Sequence, residues 1–150
     1  MRKPILSILF ALVSTALASA VHAQSSGPYS YYSLTPCRIV DTRYFTGVNG
    51  APGLTTARRD FAIKGNCGVP TTAKAVTINV TVTNATTNSW LTIWPAGTPT
   101  PFVSTINFDQ TVVALANGAI VGLSASAQDL SVLNANGSCH VLIDVTGYFQ

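Results

Sequence analysis

Between residues 74 and 84 the chain alternates without a break: Val76, Ile78, Val80 and Val82 are interleaved with Thr77, Asn79, Thr81 and Thr83. A period of two sends the branched apolar side chains to one face and the hydroxyl- and amide-bearing ones to the other. This pattern suits a strand with one buried and one wet face, and it does not suit an amphipathic helix, whose apolar positions recur three and four apart. The same texture runs through the rest of the chain. Short β-branched or aromatic runs are punctuated by Gly, Pro and Asn, and no helix-period segment interrupts them. Further strands are expected at residues 29–33, 38–43, 59–64, 89–94, 102–108, 112–116, 119–124, 130–134 and 139–149, with residues 45–57 as one long surface loop. About ten short strands at this spacing predict an all-β fold, a jelly-roll-like β-sandwich, with an open barrel as the rival architecture. Strand order is not readable at this stage.

The N-terminus sets the compartment. Arg2 and Lys3 precede an apolar run over residues 5–20, and Val21-His22-Ala23 ends in small residues, the three-part pattern of a secretory leader. Residues 1–23 are therefore expected to be a signal peptide, residues 24–33 an N-terminal linker or edge segment, and residues 34–150 the sandwich domain. The apolar run is shorter than a membrane-spanning helix needs, and no later run reaches that length, so no membrane insertion is expected. The destination is then extracellular, at the cell surface or in the periplasm.

Loss of the leader also changes the charge. The whole chain has 8 Lys+Arg and 5 Asp+Glu, and without Arg2 and Lys3 the balance is 6 against 5, a net +1. Six scattered cations leave no electrostatic footprint for nucleic acid. With charged residues at 9% of the chain, the polar surface must consist of Thr, Ser, Asn and Gln. Such a surface favours contact with a polysaccharide, with a cell-surface or matrix component, or with copies of the chain itself.

Three cysteines follow the leader: Cys37, Cys67 and Cys139. In an oxidising compartment two of them pair, and Cys37 with Cys67 is the preferred match because it staples the first strands to the loop that enters the strongest one. Zinc is a poor alternative, since no Cys-x-x-Cys unit exists and His140 is the one histidine after the leader. No cofactor or metal is called for.

From residue 36 onward, a series of short motifs resembles a poorly characterised group of secreted bacterial β domains. The carriers are Pro36-Cys37-Arg38-Ile39-Val40-Asp41-Thr42-Arg43, Cys67-Gly68-Val69-Pro70, Asn79-Val80-Thr81-Val82, Leu91-Thr92-Ile93-Trp94-Pro95-Ala96-Gly97, Ser104-Thr105-Ile106-Asn107-Phe108, Ala116-Asn117 and Asp144-Val145-Thr146-Gly147-Tyr148-Phe149. The resemblance implies an accessory module, found alone, in tandem or beside catalytic domains, with no catalytic residue to carry over. It also supports the Cys37–Cys67 pair, whereas Cys139 departs from its pattern.

Chemistry-bearing residues are few. There is no glutamate, and a Ser-His-Asp relay drawn from His140 and Asp144 fails because the two lie four apart on one strand, about 13 Å. A non-catalytic role is expected, with no catalytic residues. Asp41 and Arg43 are read as sharing a strand face and joining Asp144 in a structural polar network, in preference to an anion or calcium site. Trp90 and Trp94, with Thr92 between them, share one face of a strand and form a candidate glycan platform if both indoles stand outward. Tyr29, Tyr31 and Tyr32 either add a strand to a neighbouring subunit, as an assembly segment, or fold back on their own domain.

Overall fold

The computed structural model describes residues 27–150, so the expected leader at residues 1–23 lies outside the described part. The described residues contain eight strands and no helix: β1 (Tyr31–Asp41), β2 (Arg59–Phe61), β3 (Ala75–Thr83), β4 (Ser89–Pro95), β5 (Ile106–Phe108), β6 (Ala114–Gly122), β7 (Leu130–Asn134) and β8 (His140–Phe149). They form two four-stranded antiparallel sheets, in the orders β1, β8, β3, β6 and β2, β7, β4, β5. Antiparallel pairs join β1 to β8, β2 to β7, β3 to β6, and β4 to β5. The first half of the chain thus lies along the second half in reverse order. The doubled ribbon is wound so that successive pairs alternate between sheets, which is the topology of a jelly roll.

Alternation in sequence becomes the core directly. Val76, Ile78, Val80 and Val82 of β3 are buried, while the intervening residues are half-exposed. They lie beside Val141, Ile143 and Val145 of β8 and face Leu91 and Ile93 of β4, Val132 of β7 and Phe61 of β2 in one cluster. Each such side chain contributes about 1.5–3 kcal/mol by leaving water.

Two expected breaks do not interrupt the strands, so ten become eight. Residues 29–33 and 38–43 merge into β1, because Pro36 sits on an edge strand where its missing N–H is tolerated and the register simply shifts between Ser33 and Cys37. Residues 112–116 and 119–124 merge into β6. Asn117-Gly118 reads as a turn but stays extended, since the ladder with β3 runs unbroken from Ala75↔Gly122 to Thr83↔Ala114.

The 45–57 loop is pinned at several points. Leu54 is fully buried and bridges the backbone of Cys139, with Leu54 N–H donating to Cys139 O at 2.8 Å and Cys139 N–H to Leu54 O at 3.1 Å. Gly53 permits this approach, since a Cβ there would meet Cys139 O at 2.8 Å. The Arg59 guanidinium gathers the carbonyls of Val48, Gly50 and Pro52. Asn49 exchanges side-chain hydrogen bonds with the backbone of Ala62 on the far side of β2.

The Cys37–Cys67 disulfide is present, with Cα atoms 5.8 Å apart across 30 residues of sequence. Cys67 and Gly68 take positive φ values of 50° and 78°, which turns the Cys67-Gly68-Val69-Pro70 loop back toward β1. Cys139 is a buried free thiol, and burial pushes its pKa up to about 11.

Two outcomes follow. Closing a loop of this length restricts the unfolded chain by about 3–4 kcal/mol, so the Cys37→Ser, Cys67→Ser double variant should lose about that much stability in denaturant unfolding. Native protein at pH 8 should leave Cys139 unmodified by iodoacetamide, with labelling appearing only after denaturation, because little thiolate forms and none is exposed.

Candidate functional site

β4 carries the most instructive surface. Leu91 and Ile93 point into the core, so Trp90, Thr92 and Trp94 share the outer face of the second sheet, as the alternation predicts. The face is not uniformly open. Gly97, at φ 77°, turns the chain after β4, and residues 98–104 fold back as a roof over the far end of the strand. Trp94 Nε1 donates to the Thr98 carbonyl at 3.2 Å and Thr92 Oγ1 to the Val103 carbonyl at 2.7 Å. Ile93 N–H donates to Thr105 Oγ1 at 3.1 Å and fixes the roof's far end. Trp94 is consequently 3% exposed and Trp90 43% exposed, which corrects the expectation that both indoles stand outward.

The roof replaces the lost indole with another ring. Phe102 is fully exposed, and with Trp90 it lines a groove of about 330 Å³ between the roof and the outer face of β4 and β7. Leu133, Val103 and Ala135 add apolar lining, while Thr92, Thr100, Ser104 and Asn107 supply hydroxyl and amide groups. None of the lining residues is ionisable. Sequence reasoning missed Phe102 because nothing in Pro99-Thr100-Pro101-Phe102 tells a solvent-facing ring from one folded under. The strand expected over residues 102–108 shortens to Ile106–Phe108, because Pro99 and Pro101 lead residues 98–104 out of the ladder.

The tyrosines fold back on their own domain. Tyr31 pairs with Phe149 and Tyr32 with Tyr148, and Ser30 and Gln150 exchange backbone hydrogen bonds just beyond, so the segment completes the β1 edge. Tyr29, immediately before this pairing, is half-buried. The Tyr31 ring lies across Gly147, where an added Cβ would come within 2.3 Å of the Tyr31 hydroxyl. Tyr32 stacks on Tyr148 with centroids 5.1 Å apart.

Asp41, Arg43 and Asp144 do belong to one polar network, and its centre is a residue sequence reasoning passed over. Arg38 donates Nε and Nη2 to the two Asp144 carboxylate oxygens at 2.7 and 3.0 Å, and its Nη1 lies 3.6 Å from Asp41. Arg43 sits in the turn after β1 and not on the strand. From there its backbone N–H, Nε and Nη2 all donate to the Asp41 carboxylate at 2.8–3.0 Å. These hydrogen bonds from Arg43 hold the buried Asp41 carboxyl below the usual carboxylate range against the opposing effect of burial. His140 is engaged elsewhere. Its Nδ1 lies 3.1 Å from both the carbonyl and Oγ1 of Thr42, and since the carbonyl only accepts, Nδ1 is the donor to it. Asp129 was also missed. It is fully buried, and its two carboxylate oxygens accept the N–H groups of Ile63 and Lys64 at 3.0 and 2.9 Å, tying the segment after β2 to the entry of β7.

Among the described residues no cluster of three or more His, Cys, Asp or Glu side chains is placed to hold a metal ion. Compared with known protein families, curated proteins and solved structures, the chain has no match.

Asp41 provides a pH test of the network. A carboxyl whose folded pKa is depressed stabilises the fold above the unfolded value near 4, and the contribution is lost as pH falls through the folded value. Stability followed by denaturant unfolding from pH 6 to pH 2 should fall across that window. Asp41→Asn should lower stability at pH 6 by roughly 2–3 kcal/mol and flatten the acid slope, since the variant has no proton to take up there.

Proposed function

We propose that this chain is an exported, non-catalytic surface module that adheres by holding a neutral polysaccharide in the Trp90–Phe102 groove. The observation that carries the reading is the pair of exposed aromatic rings on a groove whose polar lining is entirely hydroxyl and amide. A sugar ring offers an apolar C–H face that stacks on an aromatic ring and an equatorial fringe of hydroxyls that hydrogen-bond with groups of that kind. The volume lies at the lower end of the range for small-ligand sites, about 300–1,000 Å³. Absence of charge from the lining disfavours ionic ligands and supplies no general acid or base at the site.

Three further features support the setting. The disulfide is the kind that persists outside the cytoplasm. No helix among the described residues is long and apolar enough to cross a membrane. The motif series resembles accessory modules that occur beside catalytic domains, a context in which attachment to a polymer is the useful contribution.

Retention on insoluble cellulose, chitin and peptidoglycan, and mobility in gels containing soluble neutral glucans, measure the binding directly. The wild-type protein should be retained by at least one of these polymers. Trp90→Ala and Phe102→Ala should each weaken retention on the order of tenfold, the equivalent of 1.4 kcal/mol. Both side chains are exposed, so the thermal midpoint should barely move. Undiminished retention in the double variant, or no retention on any of these polymers, would overturn the reading.

A further inference from the structure

The two sheets have four edges, and three of them are blunted. The β1 edge contains Pro36, two register shifts and the disulfide to the 67–70 loop. The β2 edge is three residues long, contains Arg59 and Asp60 and follows directly on Arg58. The β5 edge is also three residues long. Short length, proline, charge and irregular register are the standard devices that keep sheet edges from pairing with other chains.

The β6 edge has none of them. β6 runs for nine residues, Ala114-Leu115-Ala116-Asn117-Gly118-Ala119-Ile120-Val121-Gly122, with no proline, no charge and no break in its ladder. No charged residue occurs between Asp109 and Asp129. Its inner edge is hydrogen-bonded to β3, and the Leu123 N–H donating to the Lys74 carbonyl fixes which residues face that way. In an antiparallel ladder alternate residues turn both backbone groups to the same side, so Val121, Ala119, Asn117 and Leu115 face β3. Ala114, Ala116, Gly118, Ile120 and Gly122 therefore turn their N–H and C=O groups outward. Among the described residues no strand pairs with that side.

We infer that this edge is a homotypic interface, at which β6 pairs antiparallel with β6 of a second copy about a two-fold axis through Gly118. The register follows from the outward set itself. With Gly118 opposite its own symmetry mate, Ile120 falls opposite Ala116 and Gly122 opposite Ala114, so every outward N–H and C=O of one strand meets its complement on the other. Self-pairing of this kind is isologous and closes at two chains. Neutrality selects the partner, since an uncharged edge is not repelled by its own copy, and a charged partner gains nothing from it. Ile120, 67% exposed in one copy, gains an apolar neighbour in the Ala116 of the other. At Gly118 no atom comes within 4 Å of an added Cβ, so a side chain placed there stands free on the sheet face without disturbing the strand.

Gly118 on the axis makes the test specific to this register. In light scattering and sedimentation equilibrium at high concentration the wild-type protein should show the mass of two chains. Gly118→Asp and Gly118→Lys each place like charges directly opposite one another, and each should reduce the mass to one chain while keeping a β-sheet circular dichroism spectrum and a cooperative thermal transition, now independent of protein concentration. Mixed in equal amounts, these two variants should restore the two-chain mass, an outcome that loss of folding cannot produce. Trp90→Ala should keep the two-chain mass, which separates this interface from the groove. A single-chain mass for the wild type, a dimer that survives Gly118→Asp, or a mixture that stays monomeric would each overturn the inference.

Discussion

The position of β8 between β1 and β3 is the constraint on which the other features rest. A terminal strand in the middle of a sheet has both backbone edges satisfied, and β8 supplies Val141, Ile143 and Val145 to the core between them. The same strand holds the chain's opposite end. Arg38 is bound to its Asp144, Tyr31 covers its Gly147, and Tyr32 stacks on its Tyr148. The turn into it presents Cys139 to Leu54, so the 45–57 loop is anchored by the same element. The fold is therefore dominated by pairing between residues far apart in sequence, the arrangement in which loop-closure entropy weighs most heavily. A disulfide between Cys37 and Cys67 acts on that entropy from the N-terminal side.

The groove is a consequence of how the second sheet is finished. In an ordinary sandwich the outer face of β4 is a flat, solvated surface. Here the ten-residue stretch from Ala96 to Thr105 returns over that face and exchanges three hydrogen bonds with it through Thr92, Ile93 and Trp94. One indole is taken into the seam and the other is left at its open end. What results is concave, which an isolated strand face is not.

Much of this was legible in the sequence, and what was not failed for identifiable reasons. Strand faces, the all-β class and the disulfide follow from period two and from spacing, and the joining of Asp41, Arg43 and Asp144 from the intolerance of buried charge, although Arg43 reaches Asp41 from the turn after β1 and not from a shared strand face. Strand number erred at Pro36 and at Asn117-Gly118, because edge position and an unbroken neighbouring ladder override local turn chemistry, and neither is a local property. Trp94 was misplaced for the same reason. Alternation assigns a side chain to a face but does not say what lies on that face, and the roof is a tertiary event. Arg38 and Asp129 escaped because their partners, Asp144 and the backbone of Ile63 and Lys64, are 106 and about 65 residues away.

Lys74 apart, the charged side chains of the described residues are engaged within the fold. Asp41 and Asp144 are held by Arg38 and Arg43, and Asp60 by Arg58 and the hydroxyl of Ser131. Asp129 is satisfied by backbone N–H groups, Asp109 by Thr111, Arg59 by loop carbonyls and Lys64 by the Ser124 carbonyl. Ionic groups committed to holding loops and strand ends project little field into solvent, so long-range steering of a charged partner is weak. What the surface offers instead is short-range: the exposed rings of Trp90 and Phe102, neutral hydrogen-bonding side chains, and the outward backbone groups of β6. All three are insensitive to salt, unlike exposed ion pairs.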